Sequence, residues 1–150
     1  MALILQEQIK MKPTALKLKR NLKKTNNELA RLNRELASQM VMLASQTGDT
    51  APLIQAVKAL RSANELYSVE TAPRETAEVQ QALADTLLKL GRAQHDTVAL
   101  ENAVDAYRAA ITIASMLGDD KMRKALKKNY GLARNLLGDR TKPQSLFSAA

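Results

Sequence analysis

Apolar residues recur along most of this chain at intervals of three and four, the signature of amphipathic helices rather than strands. From Ala15 through Leu18, Leu22, Thr25, Leu29, Leu32, Leu36 and Gln39 to Leu43 the 3-4 spacing is strict. This is a heptad seam of about four heptads, with Thr25 and Gln39 as polar lapses. It predicts a helix over 14–45, opened by Pro13 and Thr14 and closed near Gly48. Proline suits a first helical turn, and glycine can take the left-handed closing conformation.

Further helices are predicted over about 51–69, 74–90, 98–117 and 119–137. Asp49 or Thr50, Asp96, and Asp119 or Asp120 are N-cap types, and Pro52 fits a first turn. Pro73 breaks the second link, while Gly91, Gly118 and Gly138 stand at the expected ends. Residues 1–12 are expected to be a flexible segment and 141–150, which lack any period, a loose tail. Between them lies a single domain over 13–140, with hairpins over 14–69 and 74–117 and a final helix over 119–137. The fold class is all-α.

The helices are related to one another. Residues 49–63 and 96–110 share the pattern D-T-x-x-L-x-x-A-V-x-A-[LY]-R-x-A at an offset of 47 residues. The same offset aligns Leu36 and Ala37 with Leu83 and Ala84 and with Tyr130 and Gly131, each a large residue followed by a small one. It also aligns Ala44, Gly91 and Gly138. Small residues at fixed helical positions let neighbouring helices approach closely. Long internal periods mark stacked supersecondary units, whose shared surface binds other molecules.

These residues resemble the tetratricopeptide repeat family. Leu83, Ala84 and Gly91 occupy its first-helix signature, and Ala103, Tyr107 and Ala110 its second-helix signature. Tyr130, Gly131 and Gly138 repeat the first helix, and Leu36, Ala37, Ala44, Ala56, Leu60 and Ala63 are the counterparts in the first unit. The period of 47 exceeds the family's usual 34, so the resemblance is to a long-turn variant over residues 30–140. It implies an α-α superhelix of about five helices whose first helix of each pair lines a concave groove. The implied groove residues are Arg31, Arg34, Ser38, Val41 and Met42, then Glu78, Gln81, Asp85, Leu88 and Lys89, then Lys128, Leu132, Asn135 and Leu136. The family's chaperone adaptors clamp a carboxylate with Lys and Asn; Gln81 and Asp85 depart from that ring, leaving a mixed polar groove. A peptide or partner helix is the implied ligand.

Charge alters this picture at the two ends. The net +8 is divided as +7 over residues 1–34, −4 over 35–118 and +5 over 119–150. Lys10, Lys12, Lys17, Lys19, Arg20, Lys23 and Lys24 come without an acid between Gln8 and Asn27. Such an arm can neutralise phosphates in a salt-sensitive way. It has no aromatic residue of its own for stacking on bases. Leu16 and Leu18 add an apolar strip suited to a membrane surface. The alternative function is therefore a nucleic-acid-associated protein using this arm, with the helical array for dimerisation or partner docking. The seam itself can cover the open end of the stack or form a homodimer through the N-terminal helix.

Catalysis finds little support. His95 is the lone histidine and cysteine is absent, so neither a thiolate metal site nor a convergent base is expected. Glu75 with Glu78 and Glu101 with Asp105 fit exposed helix faces. The five glycines are scattered rather than gathered in a phosphate loop. No metal, cofactor or enzymatic activity is expected. Secretory-leader and membrane-span patterns are also missing, which makes the cytoplasm the expected location. The function expected is a non-catalytic adaptor or scaffold that binds protein.

Overall fold

The computed structural model describes residues 2–141, with side chains described for residues 13–138. Within them the fold is all-α, in the order α1 (Ala2–Thr47), α2 (Ala51–Leu66), α3 (Pro73–Gln94), α4 (Thr97–Leu117) and α5 (Asp120–Thr141). Each helix packs on the next, and α3 also touches α5. Short links join helices that pack on one another, so consecutive helices run antiparallel. The expected tail lies outside the described residues beyond Thr141. No helix is long and apolar enough to cross a membrane among the described residues.

The turns follow local chemistry. Gly48 and Gly118 take positive φ of 74° and 68° at the ends of α1 and α4. Asp49 Oδ1 accepts the Ala51 N–H at 3.0 Å, Asp96 Oδ1 those of Val98 and Ala99, and Asp119 Oδ1 that of Met122 at 3.0 Å. These bonds satisfy amides that a helix start leaves open. Four boundaries differ from the sequence pattern. α1 begins at Ala2 and runs through Pro13, which therefore removes one N–H from the interior of a 46-residue helix instead of opening it. α2 stops at Leu66, where Tyr67 turns extended (ψ 144°) and begins the link to α3. α3 continues past Gly91 to Gln94 and is closed by His95 at φ 54°. α5 runs past Gly138 to Thr141 instead of stopping at 137.

Gly91 has another reason to be glycine. A Cβ there would meet Leu100 Cδ2 at 2.7 Å, so its bare backbone lets α4 approach α3. Alanine dominates the core elsewhere too: Ala30, Ala37 and Ala44 from α1, Ala56, Ala59 and Ala63 from α2, Ala103, Ala106 and Ala110 from α4. Small residues on facing helices bring the axes together. Buried Thr76 and Thr86 donate their hydroxyls to the carbonyls of Ala72 and Ala82 at 2.7 Å, so neither is unsatisfied.

α1 carries two separate apolar stripes. The alanine stripe packs into the array, with Met40 and Val41 partly buried beside it. The heptad leucines face outward, from Leu43 at 42 % exposure to Leu18 at 65 %. The seam therefore does not cover the end of its own stack.

Candidate functional site

α1 and α3 both flank α2, and a cleft opens between them. Arg34 Nη2 meets Glu78 Oε2 at 2.8 Å and ties the two helices together at one end. Below this pair the facing residues are short, and a hollow of about 500 Å³ remains. Its floor is Ala37, Ala82 and the buried Leu60 of α2; its walls are Arg31, Arg34, Glu35, Ser38 and Val41 of α1 and Asp85, Thr86 and Lys89 of α3. Both charge signs line it.

The hollow continues in both directions. Val41 and Lys89 also border a smaller space of about 260 Å³ that reaches Gly48, Asp49, Thr50 and Leu53. There Gln94 Nε2 donates to Thr50 Oγ1 at 2.9 Å and closes the trough. At the opposite end Arg31 and Arg34 also line a hollow of about 630 Å³ with Arg20, Lys23, Lys24, Glu28, Tyr67 and Glu75. The trough is thus basic at the α2–α3 link, mixed in its middle and short of cations near Asp49.

Pairing fixes the charged walls. Arg31 holds Glu28 at 2.7 Å and Glu35 at 3.5 Å along its own helix. Burial disfavours the Arg34 charge, but hydrogen bonds to Glu78 and Tyr67 outweigh it and raise its pKa above the ordinary arginine value. Asp85 is anchored from the far side, where it accepts hydrogen bonds from Tyr107 on α4 and, at 3.4 Å, from Asn129 on α5. Two walls of the trough are therefore preset by bonds to other helices.

Of the residues expected to form a groove, Arg31, Arg34, Ser38, Asp85 and Lys89 line this one space, with Val41 between them. Glu78 stands at its rim, paired to Arg34. Gln81 is half-buried on α3 and does not line the hollow. Met42 points outward at 58 % exposure, and Leu88 is buried in the core. Lys128, Leu132 and Asn135 are exposed on α5 and do not line these hollows, because α5 packs beyond α4 and only grazes α3. Glu35, Leu60, Ala82 and Thr86 belong to the lining but carry no sequence signal that separates them from ordinary helix positions.

In the basic arm, Lys17, Lys19, Arg20, Lys23 and Lys24 are exposed, while the side chains of Lys10 and Lys12 lie outside the described residues. Tyr67 is the residue that sequence reasoning missed. It sits at the end of α2, far from the arm in sequence, yet half-buried in the hollow that Arg20, Lys23 and Lys24 border. His95 is an exposed turn residue, and no cluster of three or more potential metal-ligating side chains occurs among the described residues. No family model matches this chain, and no curated protein or solved structure is significantly similar to it.

Proposed function

We propose that the chain is a non-catalytic adaptor of tetratricopeptide type that holds an extended peptide in the trough between α1 and α3. The observation that carries this reading is the continuity of the three hollows: the middle one shares Arg31 and Arg34 with the basic hollow and Val41 and Lys89 with the one near Asp49. From Lys24 to Gly48 the trough follows α1 for about 36 Å at ~1.5 Å per residue. An extended segment of about ten residues fits that length at ~3.3 Å each. Charge orients it: acidic residues belong at the Arg20, Lys23 and Lys24 end, small polar or apolar ones over Ala37, Leu60 and Ala82. The offset pairs and the helical hairpin order support the family reading; the groove residues supplied by α5 are not part of it.

Selection from a displayed peptide library, followed by fluorescence polarisation, tests this. The expected ligands carry acidic residues toward one end, and Ser38→Trp, which fills the middle of the trough, abolishes their binding. Lys128→Glu on α5 leaves it unchanged. Selected peptides that bind Ser38→Trp as well as the natural protein would overturn the assignment.

A second reading gains one observation. The Tyr67 ring beside Arg20, Lys23 and Lys24 supplies the aromatic surface that the arm lacks, a combination used for single-stranded nucleic acid. Titration with single-stranded oligonucleotides at rising salt checks it. The expectation under this reading is salt-sensitive binding that weakens in Tyr67→Ala; indifference to that substitution argues against it.

A further inference from the structure

The heptad leucines of α1 have no covering in their own chain, yet their spacing is that of a helix built to meet another helix. Leu18, Leu22, Leu29, Leu32, Leu36 and Leu43 are each 42 to 65 % exposed, on a face distinct from the alanine stripe that packs against α2. Strict 3-4 spacing over about four heptads is what knobs-into-holes packing requires, and amphipathic burial in a globular array does not demand it. The occupant of this face is therefore a helix of the same periodicity.

We infer that the occupant is a second copy of α1, running antiparallel, so that the protein is a two-fold dimer with a trough on each side. Three features of the seam select this arrangement. The first is shape. A hollow of about 400 Å³ lies at the middle of the seam, lined by Lys24, Thr25, Glu28, Leu29 and Leu32, where Thr25 is too small to fill its layer. In an antiparallel pair centred near Asn27, Thr25 faces the partner's Leu29, and a large side chain enters the gap. The same register sets Leu18 against the partner's Leu36 and Leu22 against the partner's Leu32. A parallel pair would instead stack Thr25 on its own copy and leave the gap doubled.

The second feature is charge. A parallel pair places Lys17, Lys19, Arg20, Lys23 and Lys24 beside their own copies, with no acid among them to offset the repulsion. Reversing one helix instead brings this basic half alongside residues 28–43, where Glu28 and Glu35 balance Arg31 and Arg34, so the repulsion is relieved. In the register above, Lys24 lies within about 3 Å along the axis of the partner's Glu28, and Lys17 of the partner's Glu35. Lysine side chains reach across that distance, and each contact occurs twice by symmetry.

The third feature is the state of the polar lapse itself. Thr25 Oγ1 already donates to the Asn21 carbonyl at 2.9 Å, so covering it leaves no hydroxyl hydrogen without an acceptor. The middle of the trough is untouched by this pairing, since Ser38, Val41 and the α3 wall lie on another face of the array, whereas Lys24 and Glu28 border both the seam and the basic end of the trough.

Light scattering and sedimentation equilibrium on the full chain test the proposal. The expected mass is about twice 16.5 kDa. Leu32→Glu should return the protein to monomer with unchanged helicity by circular dichroism, because Leu32 is half exposed in the single chain. The chain has no cysteine, so orientation is readable by cross-linking. Leu18→Cys mixed with Leu36→Cys should join through a short bis-maleimide, while Leu18→Cys alone should not. A monomeric natural protein, a dimer that survives Leu32→Glu, or efficient joining of Leu18→Cys to itself would each overturn the proposal.

Discussion

Tyr107 donates its phenolic hydrogen to the carboxylate of Asp85 across the packing of α3 on α4. The ring is wholly buried, and the same carboxylate accepts from Asn129 on α5, so one acidic side chain joins three helices and forms a wall of the trough. Tyr107→Phe should lower the unfolding free energy by about 1–2 kcal/mol, read from urea denaturation at neutral pH. The loss is one charge-assisted bond, since the ring volume is retained.

Alkaline pH provides a second readout of the same bond. Burial, reinforced by Asp85, pushes the Tyr107 pKa well above its ordinary value of 10.0. In the unfolded chain the phenol ionises near that ordinary value, so above it the unfolded state holds fewer protons than the folded one. The contribution is complete below pH 10 and declines as pH rises further. The natural protein should lose stability faster than Tyr107→Phe above that point, which unfolding midpoints measured at several alkaline pH values will show.

Gly91→Ala and Gly131→Ala should move stability in opposite directions. The added methyl at Gly91 meets Leu100 Cγ and Cδ2 at 2.8 and 2.7 Å and overpacks the α3–α4 contact, costing about 1–3 kcal/mol. At Gly131, inside α5, nothing lies within 4 Å of the new Cβ, and the gain in helix propensity is up to ~1 kcal/mol. Thermal melts of the two variants decide the matter. Equal effects would mean that Gly91 does not sit at a close approach.

Acid should act through Asp119. The Met122 N–H, then Arg74 at 3.1 Å, hold its carboxyl below the ordinary 3.8. Its contribution is therefore present above pH 3.8 and lost as pH falls through the lower folded value. Asp119→Asn should show a shallower acid-unfolding profile in that window, followed by far-ultraviolet circular dichroism.

Capping at α4 is separable from these effects. Asp96→Ala removes the acceptor for the Val98 and Ala99 amides and should cost about 1 kcal/mol in urea denaturation. Asp96→Ser should recover most of it, since a hydroxyl accepts the same bonds.

Much of this fold was legible in local chemistry. The five helices, the positive φ of Gly48 and Gly118, and the caps at Asp96 and Asp119 all follow from residue types whose preferences are backbone properties. The offset of 47 also marks positions with a shared role, since Ala37 and Ala84 are both buried. What local chemistry could not reveal is which neighbour each face meets. Leu36 and Leu83 are equivalent by offset, yet Leu36 is 45 % exposed and Leu83 is in the core. The difference arises because α3 has helices on both sides and α1 has them on one. In the same way the leucine seam outshines the alanine stripe in any hydropathy pattern, but alanines permit the closer approach that α2 exploits. Gly91 looked like a terminator because the sequence cannot show Leu100 arriving from α4. Tyr67 entered the basic hollow only through tertiary packing, which no spacing within α1 could announce.

The order of contacts has a mechanical meaning. Each helix leans chiefly on its immediate neighbours, and among the described residues α3 is the main bridge between the α1–α2 and α4–α5 halves. Denaturation should therefore spread along the row rather than strike everywhere together, with amide protons of α3 and α4 exchanging last. A ligand seated between α1 and α3 would brace the first hairpin against the rest, slowing exchange in α2 without touching most of it.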